Sequence, residues 1–111
     1  MQIEEKVTYT MLFDTYGKLL SKKQFEVMEQ FLNLDLSESE LAEFSGESRQ
    51  SVHDAVSKAK KQLVEFESKC GVLKSKSGVK QKLKNLLADF TNQNFDKVKV
   101  VEALNEIIDN Y

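Results

Sequence analysis

The chain predicts an all-α protein, and three observations carry that prediction. Its 111 residues contain no Pro, no Trp and four Gly, apolar residues recur at helical spacing, and capping signals stand in front of the apolar runs. A turn-rich sandwich or barrel is disfavoured by the same composition. Hydrophobic residues at 41% and charged residues at 31% describe a globular chain, too apolar to remain disordered. Its length fits one compact domain, or one small domain with an appendage.

The elements follow in order. Tyr9, Leu12, Phe13 and Tyr16 recur at i, i+3, i+4, i+7, which predicts a first helix over Thr8 to Tyr16, with Gly17 placed to stop it. Ser21 and Gln24 form a capping box with Leu20 as the staple before it, and Phe25, Met28, Phe31 and Leu32 supply the buried face of a second helix. Ser37 and Glu40 repeat the device for a short third helix carrying Leu41, Ala42 and Phe44, broken at Ser45 and Gly46.

Ser48 caps a fourth helix running to about Lys69, with Gly71 marking its end. Val52, Val56, Ala59, Leu63, Phe66, Cys70 and Leu73 recur along it at alternating steps of four and three, a heptad seam. The stretch from Lys74 to Gly78 reads as a flexible joint. A fifth helix, about Val79 to Asn92, buries Val79, Leu83, Leu86, Leu87 and Phe90. A sixth is capped by Asp96, with Phe95 and Val100 in staple register, and carries Val98, Val101, Leu104, Ile107 and Ile108. The expected organisation is a domain over residues 1–73 and a two-helix extension over 74–111, which packs on the same core or on a dimer mate.

A net charge of -2 hides three blocks. Residues 1–57 are acidic, with 5 basic against 11 acidic side chains; residues 58–88 hold nine Lys against Glu65 and Glu67; residues 89–111 return to net acidic. The lysine-rich block is where a polyanion would sit, or it is solvated helical surface. The basic residues are 15 Lys and one Arg, a skew that points to an AT-rich, bacterial genome. One Cys cannot form an internal disulfide, no run approaches the roughly 18 apolar residues of a membrane span, and the start of the chain is acidic and polar. These features predict a cytoplasmic protein with no membrane insertion.

The third and fourth helices are joined by two or three residues containing Gly46, which is the helix-turn-helix connection. Ala42 can sit where the helices cross, Gly46 four residues on can take positive φ, Val52 can pack back between the helices, and Leu41 and Ala55 complete the apolar contacts. No wing follows. On DNA, the exposed start of the second helix of the pair would offer Arg49, Gln50 and His53 to base edges. Ser48, Ser51, Lys58 and Lys61 would meet phosphates. Against this stand Glu38, Glu40, Glu43 and Glu47, which repel phosphate, and such a tri-helical core also serves as a protein-docking platform.

Residues Leu20 to Gln24, the run from Leu36 to Phe44 and the run from Ser48 to Val52 resemble region four of bacterial sigma factors. Leu12, Phe13, Asp14 and Tyr16 upstream, with Asp54, the tail from Leu63 to Lys69, and Val72 and Leu73, are more particular. Together they resemble the YlxM family, small bacterial proteins in which the sigma-like module stands alone. The resemblance covers about residues 3–74. It implies a DNA-binding regulator tied to the signal recognition particle pathway, with no enzymatic activity. The sequence departs from the family pattern at Glu47, where an aliphatic residue is usual, at His53, where Tyr is usual, and at Ser57, Lys58 and Ala59.

Catalytic and metal chemistry find no footing. Ser51 and His53 lie roughly 200° apart on one helix and cannot converge with Asp54 into a triad. His53 and Cys70 are far apart on that helix, so no zinc site and no cofactor are expected. The seam from Leu63 through Phe66, Cys70 and Leu73 either packs within the chain against helices one, two and five, or pairs with a second copy as a homodimer. Two functions remain open: a dimeric reader of double-stranded DNA, or an interaction module for signal recognition particle protein or RNA using the lysine-rich 58–84 stretch.

Overall fold

The computed structural model describes residues 2–93 and 96–110. They form α1 (Ile3–Tyr16), a 3-10 turn (Gly17–Leu19), α2 (Lys22–Leu32), α3 (Glu38–Ser45), α4 (Arg49–Cys70), α5 (Val72–Thr91) and α6 (Lys97–Asp109). Contacts divide the chain into two compact units, Met1–Leu73 and Lys74–Tyr111.

The first unit is built around α4, which packs against α1, α2 and α3. Its core is Leu12, Phe13 and Tyr16 from α1, Leu20, Met28 and Leu32 around α2, Leu41 and Ala42 from α3, and Val52, Val56, Ala59 and Leu63 from α4. Both capping boxes form: Ser21 accepts from the Gln24 N–H while Gln24 reaches back, and Ser37 and Glu40 do the same. Each satisfies two orphan donors and fixes where its helix begins.

Helix α1 begins five residues before the expected Thr8, because Glu4 and Glu5 in its first turn favour the positive end of the helix dipole. Gly17 does not stop α1 by a left-handed turn. It sits at φ -54, and a Cβ there would lie 2.9 Å from the Phe13 ring, so it is a close approach that requires the glycine. Phe13 in turn stacks on Phe25 at 5.1 Å between centroids.

The heptad run of α4 is used within the chain. Val52, Val56, Ala59 and Leu63 are buried, while Phe66 and Leu73 pack against that core at partial exposure and Phe66 meets the Tyr16 ring. Cys70 breaks the pattern and is exposed, because the helix outruns the partners that cover its earlier turns. At the same end, the Tyr16 hydroxyl donates to Glu67 Oε1 at 2.5 Å and accepts from the Val72 N–H, and the Leu73 N–H donates to that Glu67 oxygen. Two of the orphan donors at the start of α5 are thereby satisfied. Burial pushes the Tyr16 phenol above its ordinary value, and the Glu67 hydrogen bond pushes the same way. The neutral phenol is therefore the folded form, and what Tyr16 contributes to this knot is lost as pH rises beyond the ordinary tyrosine range.

Two further expectations are corrected, on the 74–78 stretch and on the second unit, and one apolar residue of α3 lies outside the core. The Lys74 to Gly78 stretch is no joint: it lies inside α5, since Lys and Ser are tolerated in helices and one interior Gly costs only about 1 kcal/mol. Phe44 is 81% exposed, because an eight-residue helix that turns Leu41 and Ala42 inward carries position 44 off the buried face. In the second unit, the apolar residues expected in a core are not buried: Leu83, Leu87, Phe90, Val98, Val101, Leu104 and Ile108 are all exposed, because two helices give each other one face and leave the next without a third layer. Asp96 does cap α6, accepting from the Val98 and Lys99 N–H groups; the Phe95 staple lies outside the described residues.

Candidate nucleic-acid interface

Helices α3 and α4 are joined by Gly46, Glu47 and Ser48. Gly46 caps α3 in the left-handed conformation at φ 72, its N–H bonded to the Ala42 carbonyl, a geometry that glycine adopts without the penalty a side chain brings. Ser48 then caps α4 by accepting from the Ser51 N–H at 3.1 Å. Val52 and Leu41 are buried on either side of this turn, and Ala55 is half-buried. The sequence-predicted structural residues Leu41, Ala42, Gly46, Val52 and Ala55 are thus gathered around one tight connection.

The first turns of α4 leave Ser48, Arg49, Gln50 and His53 exposed and Ser51 half-buried. Most of these polar groups are engaged by carboxylates of the same chain. Gln50 Nε2 donates to Asp54 Oδ1 at 2.9 Å. His53 Nδ1 lies 3.0 Å from Glu38 Oε2, and the Ser51 hydroxyl donates to Glu47 Oε2 at 3.2 Å. Arg49 makes no ion pair among the described residues. Ser51, His53 and Asp54 therefore each face a different partner and do not assemble as a triad.

Lys23 in the first turn of α2 adds a contact the sequence reading passed over. Its ammonium bridges Glu47 Oε1 at 3.0 Å, and with Ser21, Gln24, Ser51, Asp54, Ala55 and Lys58 it lines a cleft of about 350 Å³. The ammonium holds the Glu47 carboxyl below the usual carboxylate value, outweighing partial burial, and the Ser51 hydroxyl adds to the effect. A signal was present: Lys22 and Lys23 occupy the first turn of α2 with no acidic residue, where the helix dipole disfavours cations. Two lysines kept there make sense beside an anion.

Lys58 and Lys61 are exposed farther along α4. Lys60 between them is spent otherwise, lying 5.1 Å from the Tyr9 ring centroid and 5.3 Å from that of Phe31, with Glu5 at 3.9 Å. Among the described residues no cluster of three or more His, Cys, Asp or Glu could hold a metal ion, and no helix is long and apolar enough to cross a membrane.

A family model described as "UPF0122: Putative helix-turn-helix protein, YlxM / p13 like" matches residues 3–107. Among curated relatives, a UPF0122 protein of Clostridium perfringens is 36% identical over 110 residues, covering 96% of this chain and 98% of the relative. One from Clostridium kluyveri is 33% identical over 105 residues, covering 95% and 93%. One from Fusobacterium nucleatum is 34% identical over 98 residues, covering 88% and 95%. The match therefore extends past residue 74, where the resemblance carried by the sequence motifs ended, and takes in α5 and most of α6.

Proposed function

Because the chain belongs to the UPF0122 family of YlxM / p13-like proteins, we propose that it is a non-enzymatic, cytoplasmic regulator. It binds double-stranded DNA as a homodimer, through a sigma-region-four-like helix-turn-helix formed by α3 and α4. The observation that carries this reading is the left-handed Gly46 turn, which leads directly into a helix start whose Arg49, Gln50 and His53 are exposed. In that reading the start of α4 enters the major groove, Arg49 pairs with guanine and Gln50 with adenine. Ser48, Ser51, Lys58 and Lys61 fix the register on phosphates, joined by Lys23 from the start of α2.

The carboxylates set the terms of binding. Glu38 and Asp54 must release His53 and Gln50 before either reads a base, and Glu47 places a negative charge in the turn. Fluorescence anisotropy of a labelled mixed-sequence duplex tests the reading. Affinity should fall steeply between roughly 50 and 200 mM salt as phosphate-bound counterions are released, and absence of binding at the lower salt would sink it. Glu47→Gln should tighten binding roughly 2- to 10-fold at low salt, because it removes one charge from the turn and frees Lys23 for phosphate. Unchanged affinity in that variant would place the turn away from the duplex.

The second reading, an interaction module for the RNA or protein of the signal recognition particle, draws support from Lys74, Lys76, Lys80, Lys82 and Lys84, all exposed on α5. Signal recognition particle RNA used as competitor in the same experiment separates the two.

A further inference from the structure

Helix α5 carries five lysines, and they do not share one environment. Lys82 is bridged to Glu106 at 2.8 Å. Lys76, Lys80 and Lys84 are exposed and make no ion pair or hydrogen bond among the described residues. At about 100° and 1.5 Å per residue, these three lie within roughly 80° of one another and step along the helix about 6 Å at a time. Lys82 stands roughly 160° round from Lys80 and Lys84, on the other side of the helix.

No carboxylate stands where it would neutralise the row. None of the residues three or four positions from any member is acidic. Asp89, the one acid of α5, lies about half a turn round the helix from Lys80. Like charges at i and i+4 oppose the helix that holds them, so the row works against α5 until an anion lies along it. Evenly spaced cations on one face match a polymer with one charge per unit, and their step is close to that between neighbouring phosphates on a nucleic-acid strand. Lysine suits that role, since its ammonium meets phosphate as a point charge and lacks the planar fork that reads a base edge.

We propose that Lys76, Lys80 and Lys84 form a second nucleic-acid contact, a row that grips consecutive phosphates of one strand and is blind to sequence. The inference rests on the reading of this chain as a nucleic-acid binder and adds a site, carried by α5 alone, to the one at α3 and α4. It also narrows the α5 lysines to the three with no protein partner among the described residues. The two sites divide the work: base contacts at the start of α4 select, and the row adds affinity for nucleic acid of any sequence. Because the first 57 residues are net acidic, the row is also where an approaching polyanion is steered.

The test uses the full chain, a labelled mixed-sequence DNA duplex and an RNA of the same sequence, read by fluorescence anisotropy at roughly 50 and 200 mM salt. Lys76→Gln, Lys80→Gln and Lys84→Gln together should weaken binding of both probes by about ten-fold or more at the lower salt. The same variant should cut the salt slope on the duplex by about two to three, since each lost phosphate contact removes roughly 0.9. Helix content by circular dichroism should not fall, because glutamine is about as good a helix former as lysine. A control with Lys18→Gln, Lys69→Gln and Lys97→Gln removes the same charge from other exposed positions and should weaken binding by less than about three-fold, because isolated surface charges are screened.

Equal losses in the row variant and the control would reduce the effect to net charge and overturn the row. So would a row variant that binds both nucleic acids as the wild type does, or one that loses only vesicles of anionic phospholipid, in which case α5 meets a membrane surface. Arg49→Ala with Gln50→Ala separates this inference from the reading it rests on. If that pair ends the preference for a selected duplex while the row variant changes nothing, the helix-turn-helix stands and the row falls. If the row variant weakens binding while the pair leaves the preference intact, the row stands and base reading by α4 falls.

Discussion

Leu63→Ala should lower the stability of the first unit by about 2–5 kcal/mol, the range for a buried leucine truncated where neighbours cannot close the cavity. Leu63 is fully buried on the helix that α1, α2 and α3 all pack against, so the void has rigid walls on several sides. Domains of this size have roughly 5–15 kcal/mol in total, and each kcal/mol moves Tm by about 4–8 °C, so a fall on the order of 10–40 °C is expected. Cys70→Ala, one heptad further along the same seam but exposed, should change stability by no more than about 0.5 kcal/mol. Thermal unfolding of both variants checks this. Equal losses would mean that the seam is covered to its end, and that the unit is held together differently from the packing described.

That contrast shows where periodicity is informative and where it stops. The seam residues Val52, Val56, Ala59 and Leu63 were legible because burial repeats with the helix, and the capping boxes at Ser21 and Ser37 were legible because a cap is a local hydrogen-bond problem with a local solution. Cys70 has the right spacing, yet spacing says which face a residue occupies and nothing about whether a neighbour reaches that far along the helix. The 74–78 segment misled for the opposite reason. Two Ser and a Gly read as a loop signal, but their helix penalties are small, and the Leu73 N–H is already satisfied by Glu67, so the new helix starts at once after Gly71. The site divides similarly. Exposure of Arg49, Gln50 and His53 followed from the turn, whereas the Glu38 to His53 pair spans two helices at a separation of fifteen residues, which no local pattern encodes. Lys23 is hidden in the sequence because its partner Glu47 lies 24 residues away, and the Ser21 to Gln24 capping motif around it carries a hydrogen-bond signal and no charge signal.

Replacing Arg49 and Gln50 together by alanine should abolish sequence discrimination in DNA binding. Each bidentate base contact is worth about 1–3 kcal/mol, so the pair together should cost about 30- to 20,000-fold on a duplex selected from a random pool by the wild type. The two are not equal. Gln50 has to give up its 2.9 Å bond to Asp54 before it reads a base, which offsets part of what the new contact returns, whereas Arg49 has no ion pair among the described residues to surrender. Arg49→Ala alone should therefore account for most of the loss, and Gln50→Ala for the smaller share. Because both side chains are exposed, neither change should move Tm appreciably. Replacing Lys58 and Lys61 by glutamine should behave differently, weakening selected and unrelated duplexes alike and reducing the salt slope by about two, since phosphate contacts carry no sequence information. If the Arg49 and Gln50 double variant keeps its preference for the selected duplex, the start of α4 is not in the groove. If instead signal recognition particle RNA binds both it and the wild type, and only neutralising Lys74, Lys76, Lys80 and Lys82 ends that binding, the working surface is α5 and the α3 to α4 pair is scaffold.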